Sequence, residues 1–263
     1  MSTTKVYVVA NADRGIGPAL VEVLSRKHED IVIYAGACNP SNATKFKELA
    51  SRFPGKVEIT EVASGDESTS IALAKAIQAN HGYVDVVIYN AGIANYMASA
   101  SDVSPHAFRE HLEVICSLPQ LSNESKINTP QINATAVLVL YQAMSTLLKE
   151  GKSKPKFIAI STEAAHTNED RMEPFGYASY SASKATLNYI CRKIHYENSW
   201  LVAFPITPGV ITTSKNDSVG HVSDKLFIPL DELATSIVKI VDGATREKEG
   251  GQFMSFNGTK LDW

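Results

Sequence analysis

The sequence predicts an α/β fold, a doubly wound, open parallel sheet of seven strands covered by helices on both faces. Three observations predict it. Compact apolar, β-branched runs recur along the 263 residues; helical patterns alternate with them; and a glycine-bearing turn follows the first run and opens a helix. A chain of this length fits one large domain, and 44% hydrophobic with 20% charged residues is ordinary for a soluble globular protein.

The elements follow in order. Val6–Val9 reads as the first strand, and its continuous apolar character suits a parallel strand buried on both faces. A helix spans 17–28, with Pro18 suited to its first turn. Ile31–Tyr34 is the second strand, and the Ser41-Asn42 pair after Pro40 marks the start of a helix over 42–52. Val57–Ile59 and Val84–Tyr89 are strands three and four, separated by a helix over 67–80. A helix over 133–149 leads to Phe157–Ile160, one over 176–197 to Leu201–Ile206, and one over 230–243 to Gln252–Phe256. No internal repeat and no interdomain linker interrupts the series.

The bulk features exclude several functions. Net charge is −3 with no basic stripe, which argues against nucleic acid. The longest apolar runs, such as Val84–Tyr89 and Ala136–Tyr141, are too short to span a membrane. Met1–Lys5 carries no signal-peptide pattern, so a cytoplasmic location is expected. Cys38, Cys116 and Cys191 are scattered and lack CxxC spacing, which predicts a reducing compartment without disulfides or zinc. The seven histidines form no HExxH, so no metal is expected.

Three patterns carry chemistry. After strand one, Asn11-Ala12-Asp13-Arg14-Gly15-Ile16-Gly17 enters a helix. Glycines there let backbone approach a pyrophosphate, and the helix N-terminus supplies N–H donors; an ordinary tight turn has the same composition. Strand four ends in Asn90-Ala91-Gly92, small enough to leave room for a ribose or nicotinamide. Tyr180 and Lys184 stand at i and i+4 of a predicted helix and share one face. A nearby ammonium lowers a phenol's pKa, which makes Tyr180 a candidate proton donor or acceptor for a carbonyl–alcohol interconversion.

Arg14-Gly15-Ile16-Gly17, Asn90-Ala91-Gly92, the Tyr180/Lys184 pair and Pro208-Gly209 after strand six stand in the order of the short-chain dehydrogenase/reductase family, which the chain resembles over essentially its whole length. The stretch Asn188–Asn198, Trp200-Leu201 and the ending Gly251-Gln252-Phe253 with Asn257–Trp263 resemble the fungal norsolorinic acid ketoreductase type. The resemblance implies a Rossmann-type domain and an NADP(H)-dependent reductase acting on a small-molecule ketone of a secondary-metabolite pathway. It makes Tyr180 the catalytic acid, and it makes Lys184 the residue that binds the nicotinamide ribose and tunes Tyr180. Asn133 becomes the support of a proton-relay water, and Thr162, with Ser161 as its alternative, the oxyanion-stabilising hydroxyl. Cofactor contacts carry over to Asn11, Arg14, Gly15, Ile16, Gly17, Glu61, Val62, Asn90, Ala91, Gly92, Pro208, Gly209 and Val210. Relatives often pair through the helices holding Asn133 and Tyr180, which implies a homodimer or homotetramer. NAD-selective members of such folds place an acid after strand two; Tyr34–Asn39 offers none, and Arg14 suits a 2′-phosphate, so NADP(H) is favoured.

The chain departs from this pattern. Ala10-Asn11 replaces the family's Thr-Gly, although Asn tolerates a left-handed backbone better than most residues. Tyr89 replaces the first Asn of an Asn-Asn-Ala-Gly run, and Thr162 stands where serine is usual. An 18-residue interruption, 114–131, contains Pro119 and Pro130, which no continuous helix accommodates. Its removal leaves a family-like helix with Asn133 in register. It reads either as an active-site loop or as a translated intron, since valine codons begin with GT and one glutamine codon ends in AG. Thr213–Leu226 reads as a substrate lid. Two rivals stay open: a non-catalytic NADP(H)-binding or degenerate protein, and an epimerase or dehydratase of the family's extended branch. The latter normally needs a separate C-terminal substrate domain.

Overall fold

The computed structural model describes residues 4–92, 98–106, 108, 133–168, 176–209 and 228–263. The 114–131 interruption and the 213–226 lid segment lie outside them. All described strands join one sheet: β1 (Lys5–Ala10), β2 (Ile31–Ala37), β3 (Val57–Glu61), β4 (Val86–Tyr89), β5 (Lys156–Ile160), β6 (Val202–Thr207), β7 (Phe253–Ser255) and β8 (Lys260–Leu261). Their order is β3-β2-β1-β4-β5-β6-β7-β8. β1 to β7 are parallel, and β8 returns antiparallel to β7.

The expected seven strands are thus eight. The eighth is two residues long, too short for a periodicity signal. Its cue is Asn257-Gly258, a hairpin dipeptide: Gly258 has φ 87°, and Asn257 Oδ1 accepts from Thr259 N at 2.9 Å.

Helices α1 (Gly17–Lys27), α2 (Thr44–Ser51), α3 (Glu67–Asn80), α4 (Asn133–Lys149), α5 (Ala178–Glu197) and α6 (Leu230–Gly243) cover the sheet. Successive strand residues point to opposite faces. Tyr7, Val9, Val86, Ile88, Ile158 and Ile160 pack with α1, α2 and α6, whereas Val6, Val8, Val87, Tyr89, Phe157 and Ala159 pack with α3, α4 and α5. Both faces are therefore buried, which is why the strands read as continuous apolar runs. α3 begins where Asp66 accepts from Ser68 N and Thr69 N, an N-cap that satisfies two otherwise orphaned donors. The expected helix start at Ser41-Asn42 is instead a 3-10 turn over Pro40–Asn42, capped by Asn39, and α2 begins at Thr44.

The N-terminal edge of the sheet is tied by Asp85. Its buried carboxylate accepts from Val6 N, Lys152 N and Ser153 N, each at 3.0 Å. Cys191 is a buried free thiol, but Cys38 is disulfide-bonded. This corrects the expectation of no disulfides: sequence spacing carries no information on which distant cysteines approach in space. Among the described residues, no helix is long and apolar enough to cross a membrane.

The chain reverses direction across the sheet between β1 and β4. Open α/β sheets bind ligands at the carboxyl ends of the strands beside such a switch point. Asn11 and Asn90 follow β1 and β4 at that edge.

Candidate active site

The turn after β1 is held from several sides. Asn11 has φ 53° and is the only non-glycine residue with positive φ among those described. Asn90 Nδ2 donates to Asn11 O at 2.8 Å and Arg14 O at 3.0 Å, which joins the ends of β1 and β4. Ala12 N donates to Gly36 O at 2.6 Å, and Ser64 Oγ donates to Asn11 Oδ1 at 2.7 Å. Gly15 takes φ 57°, and a Cβ there would meet nothing within 4 Å, so the outer side of the turn is open. A Cβ on Gly17 would stand 2.7 Å from the Ala12 backbone; only glycine lets α1 start this close to the turn. Ile16 is buried, and no side chain caps the α1 N-terminus. These N–H groups and the open glycine turn fit a nucleotide pyrophosphate.

Val62 is buried against Gly36 of β2, where an added Cβ would lie 2.9 Å from the Val62 Cβ, while Glu61 is exposed at the end of β3. Arg14 is exposed and pairs with Asp13, Nε to Oδ1 at 3.6 Å. That Asp13 oxygen is buried and accepts no hydrogen bond. Asp13 and Ser64 were not among the residues the sequence singled out. Asp13 was visible as an acid inside a phosphate-facing turn; Ser64, 53 residues from Asn11, had no sequence signal.

α5 brings Tyr180 and Lys184 to the same edge. Lys184 is 3% exposed, and its Nζ donates to Ala91 O at 2.9 Å and Ile160 O at 2.8 Å. A Cβ on Gly92 would come within 2.9 Å of that Nζ, so Gly92 is the residue that leaves the lysine room. Burial pulls the Lys184 pKa down to about 7. Tyr180 is pushed up to about 12 by burial, against the lowering effect of its hydrogen bond with Thr162; Tyr177 adds to the rise. Lys184 is not among the groups acting on Tyr180. The phenol thus stands above its ordinary value, where the sequence led us to expect it below, because burial outweighs the lowering by Thr162.

The two candidate hydroxyls separate. Ser161 is buried, and its Oγ donates to Asn188 Oδ1 at 2.5 Å inside the core. Thr162 Oγ1 accepts from Ala164 N at 3.3 Å, capping the 3-10 turn Glu163–Ala165, and its hydroxyl also meets Tyr180. Pro208 and Gly209 follow β6; Gly209 has φ 74°, and its N–H donates to Thr207 Oγ1 at 3.1 Å. Asn133 opens α4, but its side chain, like all of Val210, lies outside the described residues. The structure thus gathers the Asn11–Gly17 turn, Asn90–Gly92, Lys184, Tyr180 and Thr162 at one edge.

Comparison with known proteins decides the family. The model of the short chain dehydrogenase family matches residues 5–222. The chain belongs to the short chain dehydrogenase family. The norsolorinic acid ketoreductase of Dothistroma septosporum is 29% identical to this dehydrogenase, covering 100% of the chain and 94% of the relative. That of Aspergillus parasiticus is 28% identical over 98% of the chain and 91% of its own length. Among solved structures, carbonyl reductase Sniffer of D. melanogaster superposes on the dehydrogenase with a TM-score of 0.79 at 18% identity, covering 100% of both chains. An NADPH-bound carbonyl reductase from chicken fatty liver gives 0.77 at 22% identity, again over 100% of both. These two likenesses establish the shared fold.

Proposed function

We propose that this dehydrogenase is an NADP(H)-dependent ketoreductase that reduces a polyketide-like ketone of a secondary metabolite. One observation carries the reading: a protonated Tyr180 phenol, hydrogen-bonded with Thr162, sits on the same helix as a buried Lys184 that packs against Gly92 at the switch-point edge. The names of the two ketoreductase relatives support the substrate class.

The Asn11–Gly17 turn and the α1 N-terminus are the residues that would hold a pyrophosphate. Arg14 would meet a 2′-phosphate, Glu61 and Val62 the adenine side, and Asn90, Ala91, Gly92, Pro208, Gly209 and Val210 the nicotinamide half. A nicotinamide, when bound, supplies the hydride. Tyr180, protonated well above neutral pH, gives its proton to the developing alkoxide. Thr162 steadies that oxygen by hydrogen bonding. As an ammonium, Lys184 has three N–H donors and spends two on Ala91 O and Ile160 O, leaving one to donate to a ribose hydroxyl; its neutral amine has none left over. Asn133 returns the proton through water. The unit is a single 1–263 domain, cytoplasmic. It forms a homodimer or homotetramer through α4 and α5, where Leu138, Tyr189 and Tyr196 are exposed.

Nucleotide titration together with NADPH oxidation over a panel of polyketide ketones tests the reading. Turnover on at least one ketone, lost in Tyr180→Phe, supports it. Tight NADPH binding with no turnover on any ketone would favour a non-catalytic nucleotide-binding protein.

A further inference from the structure

The Asn11–Gly17 turn carries an acid beside its base. Asp13 precedes Arg14, and its side chain is 19% exposed against 41% for Arg14. Asp13 Oδ1 is buried and accepts no hydrogen bond among the described residues. Arg14 Nε stands 3.6 Å from that oxygen, close enough for charge attraction but too far for a hydrogen bond. A carboxylate oxygen shut off from water and from N–H donors keeps its charge poorly screened. Asp13 therefore acts electrostatically on any anion that enters the turn.

Other acids stand elsewhere. α1 has none in its first turn, residues 34–39 at the end of β2 contain none, and Glu61 is exposed at the end of β3. A pyrophosphate is common to NADPH and NADH, whereas a 2′-phosphate belongs to NADPH alone and brings up to about two further negative charges. An acid paired with Arg14 offsets the charge that favours this second phosphate, and like charges brought together cost affinity. We infer that Asp13 is a specificity-determining residue: its carboxylate offsets the Arg14 guanidinium and repels a 2′-phosphate, so that the chain accepts NADH alongside NADPH. The inference rests on the nicotinamide-nucleotide reading of the turn and on Arg14 meeting the 2′-phosphate.

The test measures dissociation constants for NADPH and NADH by calorimetric titration of the full chain, at low and at high salt. The variants are Asp13→Asn, which keeps the shape and removes the charge, and Asp13→Ser, which removes the charge with a smaller side chain. At low salt each should tighten NADPH by about 3–10-fold. NADH should change by less than about twofold, because its adenosine ribose carries no phosphate. The gain on NADPH should shrink at high salt, where the charges are screened. Equal gains for both nucleotides would place the effect on the pyrophosphate, and a gain that high salt leaves intact would place it on the shape of the turn; either result defeats the inference. An unchanged NADPH-to-NADH ratio in both variants defeats it while the cofactor reading stands. A wild-type chain that binds neither nucleotide overturns the cofactor reading and this inference with it.

Discussion

Tyr180 and Lys184 are displaced in opposite directions by the same cause. Burial favours the neutral form of each, which pushes the phenol up to about 12 and pulls the ammonium down to about 7. A phenol with that pKa is protonated at neutral pH: it holds a proton to give, as a weaker acid than a free phenol, and its phenolate is too scarce to take one. Tyr180 should accordingly impose little pH dependence on ketone reduction between about pH 6 and 9, so that a change near pH 7 reports Lys184, whereas alcohol oxidation should climb across that window. Initial rates in both directions over this range check the asymmetry. The two hydroxyls at the end of β5 should also part company. Thr162→Ala should lower kcat by roughly 10²–10³-fold. Ser161→Ala, which orphans Asn188 Oδ1, should instead lower stability by about 1–3 kcal/mol and leave kcat largely intact. A melting curve and a steady-state assay on each variant separate the outcomes. The sequence left these hydroxyls as alternatives because adjacent positions at a strand end point to opposite sides, and nothing in Ile160-Ser161-Thr162 says which side is the core.

The glycine turn and α1 act as one element. Gly17 is irreplaceable on steric grounds, since its Cβ would overlap the Ala12 backbone at 2.7 Å, and backbone cannot swing aside as a side chain can. Gly17→Ala should destabilise the protein by about 1–3 kcal/mol and weaken nucleotide binding together, measured by thermal melting and titration. Gly15 is constrained differently, by φ 57° in open space. Elements of this kind were legible in the sequence because their signals are local: a strand, a glycine pair, a proline in the first helical turn. The short β8 and the 3-10 turn at Pro40–Asn42 were not. Two residues have no periodicity, and the capping preference that suggested a helix at Ser41 suits a 3-10 turn equally well. The Ser64–Asn11 hydrogen bond was hidden for a third reason: its members are joined only by folding.

At the scale of the whole molecule, the site is assembled at a cost in stability. Lys184 is buried beside carbonyl oxygens, with an ordinary pKa when unfolded and about 7 when folded. Below that folded value both states are protonated and the burial penalty is fully present. Between about 7 and 10.5 the unfolded chain binds the extra proton, so stability from this group rises with pH. The raised Tyr180 pKa works the other way only above its ordinary value of 10. Between about pH 7 and 9 the wild type should gain on the order of 1–2 kcal/mol relative to Lys184→Met, read from denaturant unfolding of both at each pH. A constant difference would mean that folding does not lower the lysine's pKa. Sheet order, by contrast, follows from the alternation of strand and helix that the sequence displayed, because parallel strands need crossovers and a switch point then places the site.

The most direct measurement is NADPH consumption by purified protein against a panel of polyketide ketones, wild type beside Tyr180→Phe. Turnover of at least one ketone by the wild type, falling by roughly 10²–10⁴-fold in Tyr180→Phe with NADPH affinity kept, is the predicted result. Full turnover by Tyr180→Phe, or NADPH binding without turnover of any ketone by the wild type, would contradict it.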